Sequence, residues 1–133
     1  MDVRTSHERS GKVPLYCEKK SFSTFTSDVD ILVIKEGKVR YIIEIQDSIR
    51  PKDIIGIGGA INISTIYADR KETYRLKDVI LFIITKQHRK GSKKEEQMRL
   101  IEERFKLTAG CLKGFTICTE TEFEEIFEDL EHK

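Results

Sequence analysis

Apolar and polar positions change period several times along the chain, and each change marks an element. Two β-branched runs with strand alternation, 31–34 and 39–45, flank Lys35-Glu36-Gly37-Lys38. Glycine accepts the positive φ that tight turns demand, so this stretch predicts a β-hairpin. Upstream, residues 15–22 carry aromatic and β-branched side chains and predict a third strand, antiparallel to the hairpin. Residues 1–13 are polar and predict a poorly ordered start. Pro51 suits the first turn of a helix, and a series of isoleucines carries that helix to about 68. Gly56, Gly58 and Gly59 lie inside it, each costing about 1 kcal/mol of helix propensity. They predict close approach of a backbone, either from the sheet or from a second copy of the chain. The same segment, Gly56-Ile57-Gly58-Gly59-Ala60, lacks the Lys-Ser/Thr that would make it a phosphate-binding P-loop.

Residues 69–77 read as a polar connection. The continuous apolar run 79–85 predicts a central strand covered on both faces. Reached through a helix, it should lie parallel to the 39–45 strand by a right-handed crossover. A basic stretch at 86–94, a helix over 94–106 and a short strand at 114–118 follow, then an acidic helix to about 130. Met98, Ile101 and Phe105 form the apolar face of the first of these helices. Thr119-x-x-Glu122 and Thr121-x-x-Glu124 are alternative capping boxes for the second. The order is β-β-β-α-β-α-β-α: an α/β fold with a mixed β-sheet flanked by helices, in one domain spanning 1–133.

Composition narrows the partners. Lys and Arg number 24 against 23 Asp and Glu, so any affinity for nucleic acid needs a local basic surface. Cys17, Cys111 and Cys118 show no metal-ligand spacing and fit a reducing cytoplasm. His7, His88 and His132 are scattered in polar segments. No apolar run reaches transmembrane length, and the N-terminus lacks a secretion-signal core, so the expectation is a soluble, cytoplasmic protein with no membrane partner.

The chemistry concentrates in the hairpin. Asp30 opens its first strand and Glu44 lies near the end of its second, so an antiparallel pairing brings the two to one end. Alternation puts Glu44 and Gln46 on one face. A Glu flanked by apolar residues needs a partner or a metal, and two converging carboxylates suit a hard divalent cation. The plainer alternative is that Asp30 only starts a strand while Glu44 pairs with a neighbouring lysine.

Asp30 before Ile31-Leu32-Val33-Ile34, a short turn, then Tyr41-Ile42-Ile43-Glu44-Ile45-Gln46 resembles the signature of the PD-(D/E)xK, or restriction-endonuclease-like, nuclease superfamily. There an Asp begins one strand and a Glu-x-Lys lies near the end of the next. The resemblance covers the hairpin closely and, through element order, 15–118 loosely. It implies a restriction-endonuclease-like three-layer core in which Asp30 and Glu44 hold Mg²⁺ (or Mn²⁺), with the Ile45 carbonyl completing the ligand set. Glu18 is the candidate for a further ligand. Gln46 stands where the family usually has Lys, as in some of its restriction enzymes, and Lys52 or Lys20 is a candidate stand-in for the missing ammonium.

If 79–85 runs parallel to 39–45, its C-terminal end shares an edge with Glu44. Lys86, His88, Arg89, Lys90, Lys93 and Lys94 then leave the sheet beside the carboxylates, near Arg50 and Lys52. Cations beside an acidic metal site suit a phosphodiester. The expected activity is therefore metal-dependent hydrolysis of nucleic acid, DNA ahead of RNA, and duplex cutting calls for a homodimer. Two readings stay open beside it: a nucleic-acid-binding module inactive without the motif Lys, and a protein-interaction domain using the acidic last helix.

Overall fold

The computed structural model describes residues 1–6, 13–47, 50–85 and 91–132. In chain order its elements are β1 (Asp2–Thr5), β2 (Pro14–Tyr16), β3 (Phe25–Asp28), β4 (Ile31–Lys35), β5 (Lys38–Gln46) and α1 (Pro51–Asn62). After these come β6 (Ile66–Ala68), β7 (Thr73–Arg75), β8 (Val79–Thr85), α2 (Lys93–Phe105), β9 (Leu112–Thr119) and α3 (Glu120–Glu131). The result is mixed α/β. Its main sheet has five strands in the order β1-β4-β5-β8-β9, and a smaller sheet runs β3-β2-β6-β7.

β8 explains the layering. Leu81 and Ile83 enter one apolar cluster and Phe82 the other, so the strand is covered on both faces as its unbroken apolar run predicts. Ile54 and Ile61 of α1 and Met98 and Ile101 of α2 close the first face. Phe123 and Phe127 of α3 close the second, meeting Phe82 and Tyr41 edge-on with ring centroids 5.1 and 5.0 Å apart. β5, β8 and β9 are parallel, and β1, β4 and β5 antiparallel. The Thr119 capping box, reciprocal with Glu122, is the one that starts α3.

The hairpin turns through Glu36 and Gly37, both at positive φ (55° and 75°), the backbone of a two-residue I′ loop. The register then slips once. Val33 faces Tyr41 while Ile34 faces Val39, so Arg40 is an extra, bulged residue. The slip decides which face the rest of β5 presents. Val39 and Ile42 both enter the larger cluster, and Glu44 and Gln46 follow Ile42 onto that face.

Four expectations need correction. The third antiparallel partner of the hairpin is β1, from the polar N-terminus, and not the 15–22 segment. Asp2–Thr5 has no apolar signal; pairing with the edge of β4 makes it a strand. The 15–22 segment instead gives the three-residue β2, which joins the smaller sheet, followed by a bend and a 3₁₀ turn. α1 stops at Asn62, six residues short of the expected end. There Ser64 Oγ donates to the Ala60 carbonyl (2.8 Å), and the Asn62 side chain donates to the Ala109 carbonyl and accepts from Leu112 N–H. The isoleucine series therefore runs on into β6, and the supposed connection 69–77 contains β7.

Of the two readings of the α1 glycines, Gly58 realises the intramolecular one. A Cβ there would lie 2.6 Å from the Phe115 ring of β9, which is itself stacked on Phe105 at 4.4 Å. Gly56 and Gly59 face open space.

Candidate active site

Asp30 sits in the step between the sheets, at the junction of β3 and β4, and its backbone is held from several sides. Its carbonyl accepts Ser6 N–H (3.0 Å), and the preceding Val29 donates to the Val13 carbonyl (3.0 Å). β4 and β5 pair Ile31 with Ile43; one step further, the same register sets Asp30 opposite Glu44. Asp30 Oδ2 accepts Ile45 N–H at 2.9 Å, which fixes the carboxyl against the last turn of the β5 ladder. The sequence pattern anticipates this meeting; the role of the Ile45 amide it does not.

Glu44 is 8 % exposed. Burial, then hydrogen bonding and charge repulsion from the Asp30 carboxyl, push its pKa up to about 9, against a smaller opposite pull from Asp30 N–H. Asp28, exposed at the end of β3, adds to the repulsion. The buried Glu44 carboxyl therefore favours its protonated form unless a cation joins the two groups. Among the described residues the charged groups acting on Glu44 are the acids Asp30 and Asp28, and no lysine pairs with it there.

Thr85 ends β8 beside this pair. In the parallel register it is the partner of Gln46, so both side chains lie on the face that carries Glu44. Thr85 is 5 % exposed, and its hydroxyl oxygen has no hydrogen-bond partner among the described residues. A buried hydroxyl without a partner carries a desolvation penalty of about 1–3 kcal/mol. In sequence Thr85 is one more β-branched residue closing an apolar run, and only its neighbours across the sheet reveal it.

The other expected residues are placed as follows. Gln46 is half-buried at the end of β5. Glu18 is exposed, in left-handed backbone (φ 71°), its N–H donating to Thr65 Oγ1 across the smaller sheet. The 15–22 segment belongs to that sheet, so Glu18 does not join the pair; among the described residues no group of three or more His, Cys, Asp or Glu forms a metal cluster. Lys52 is exposed in the first turn of α1, and Arg50 pairs with Asp53 at 3.0 Å. Neither Lys52 nor Lys20 has a side-chain bond to a carboxylate of the pair. Lys93 and Lys94 open α2, the helix entered from the C-terminal end of β8. Lys86, His88, Arg89 and Lys90 lie outside the described residues.

The cysteines offer no second chemistry. Burial pushes the Cys111 thiol up to about 11 and the Cys118 thiol up to about 12, and Cys17 is half-buried; all three are free. Among the described residues no helix is long and apolar enough to cross a membrane.

Comparison with protein-family models, with curated proteins and with solved structures returned no match.

Proposed function

We infer that the protein is a metal-dependent nuclease, hydrolysing phosphodiester bonds at the Asp30–Glu44 edge of a restriction-endonuclease-like core. The observation that carries this is the buried Glu44 carboxyl, driven to about 9 by its surroundings and by Asp30. Such a group is poised for a cation. The donor set fits Mg²⁺: two carboxyl groups and an orphaned hydroxyl, all oxygen, on one sheet face. Mg²⁺ needs only one or two carboxylates because it keeps several waters, so the two-carboxyl set formed by the described residues is compatible with it.

When bound, the metal supplies charge at the scissile phosphate and acidifies a water. The chain's own residues do the remaining work. Asp30, locked by Ile45 N–H, and Glu44, freed of its proton, would hold the ion. Gln46, next along the face, orients the attacking water through its amide but brings no positive charge. Lys93 and Lys94, at the start of α2, would meet the phosphate backbone. Duplex cleavage would need two copies of the chain, one for each strand.

One observation favours a second reading. Gln46 replaces the motif ammonium, and among the described residues no lysine is tied to the pair in its stead, as a binding module without catalysis would have it.

Cleavage of labelled single-stranded, duplex and branched DNA, and of RNA, with Mg²⁺ or Mn²⁺ tests the inference. Wild type is expected to cut; Asp30→Ala and Glu44→Ala are expected to be inert. Equal cutting by all three would overturn the assignment. Salt-sensitive binding without cutting would select the binding module.

A further inference from the structure

The opposite end of the hairpin holds a second concentration of charge, of the other sign. A cleft of about 260 Å³ opens between the β4–β5 turn and β7, lined by Lys38, Arg40, Tyr74, Arg75, Lys77 and Asp78. Four cations face one carboxylate in a chain whose charges as a whole nearly balance, 24 Lys and Arg to 23 Asp and Glu. Arg40 has a long 3.7 Å contact with Glu36, itself largely exposed. Lys38, Arg75 and Lys77 are exposed and have no ion pair or side-chain hydrogen bond among the described residues. Arg75 and Lys77 also border an adjoining cleft of about 290 Å³, whose remaining lining is uncharged.

Two backbone features hold these cations together. The bulge at Arg40 adds a residue to β5 at this end, and Asp78 turns the chain from β7 into β8 through left-handed backbone (φ 56°). Four like charges around one cavity repel one another, and Asp78 and the exposed Glu36 offset that only in part. Along β5 the cleft lies six residues from Glu44, roughly 20 Å at the rise of a strand.

We propose that this cleft anchors the phosphate backbone of a nucleic-acid strand, at a distance from the acidic pair. The proposal rests on the nuclease reading for the identity of the polyanion. Several unpaired Lys and Arg side chains in a groove are the footprint that phosphodiesters recognise, and binding there releases counterions in proportion to the phosphates neutralised.

The test is a fluorescence-anisotropy titration of labelled DNA and RNA 30-mers in EDTA over a range of salt concentrations. It compares wild type, Arg75→Gln/Lys77→Gln, and the equal-charge control Lys106→Gln/Lys113→Gln. Thermal melts confirm that each variant is folded, and Lys38→Gln repeats the test from the hairpin side. Loss of Arg75 and Lys77 is expected to weaken binding at least about tenfold and to lower the salt slope by about 2, at roughly 0.9 per phosphate contact. The control should keep the wild-type slope. Binding by Arg75→Gln/Lys77→Gln equal to wild type, or an equal loss in the control, overturns the cleft while leaving Mg²⁺-dependent cutting, and with it the nuclease reading, intact. No binding or cutting of either nucleic acid by wild type overturns both.

Discussion

Where β4 begins and β5 ends, the half-buried Asp30 carboxyl is pressed against the buried Glu44; where β4 turns into β5, Lys38 and Arg40 stand with Arg75 and Lys77 around an open cleft. One hairpin builds both. At the first end one carboxyl is buried beside another, so the cost is felt as a proton held on Glu44 up to about 9. At the second they are solvated and keep their full charge, because water and salt screen what burial does not. Burial is thus what separates a site suited to chemistry on a bound cation from one suited to holding a polyanion. Two substitutions at each end should separate the roles.

The largest effect belongs to the acidic end. Asp30→Asn/Glu44→Gln should reduce Mg²⁺-dependent cleavage to background while binding in EDTA persists, since neither residue is a cation. Arg75→Gln/Lys77→Gln should do the reverse, with weaker binding and cleavage restored at saturating protein. Single-turnover cleavage and anisotropy on wild type and these two variants would break the comparison if both variants lost both properties.

Stability against pH comes next. The folded state raises the pKa of Glu44 from 4.5 to about 9, so the fold favours its protonated form. That stabilisation is complete below the unfolded value, declines as pH rises between the two, and is gone above the folded value. In EDTA, stability should fall from pH 6 to 8.5 by up to about 1.4 kcal/mol per pH unit. Glu44→Gln should flatten this dependence, and Mg²⁺ should stabilise wild type increasingly with pH because it holds the ionised form. Urea denaturation at both pH values decides it; parallel profiles for the two proteins would remove Glu44 from the account.

A smaller change is expected at Thr85. Thr85→Val keeps the shape and removes a hydroxyl with no partner among the described residues, so apo stability should rise by about 1 kcal/mol. The shift in melting temperature caused by Mg²⁺ should shrink in the same variant. A loss of apo stability instead would mean that the hydroxyl is already bonded in the folded protein.

The smallest effect lies at the basic end. Glu36 occupies positive φ (55°) and offers Arg40 only an exposed contact. Glu36→Asn suits the left-handed backbone better and removes a competing carboxylate. Stability should change by less than about 0.5 kcal/mol, and nucleic-acid binding should tighten slightly at low salt. Weaker binding would argue that the carboxylate orients Arg40 for its ligand.

Elements whose information is local were readable from the chain alone. Glu36-Gly37 carries its own turn, Val79–Thr85 its own burial on both faces, and Thr119-x-x-Glu122 its own cap, because each rests on interactions between near neighbours. The Asp30–Glu44 meeting was readable too, since antiparallel pairing of adjacent strands leaves few alternatives. Tertiary structure alone decided the remainder. Asp2–Thr5 is a strand only because β4 has a free edge, and the isoleucines of α1 pass into β6 because Asn62 binds Ala109 and Ser64 binds Thr26, far away in sequence. Arg40 bulges without any signature of its own, yet it sets the face on which Glu44 lies. Thr85 and the Arg75–Lys77 cleft depend on partners far away in sequence: a hydroxyl is orphaned, or a charge unpaired, only with respect to everything folded around it.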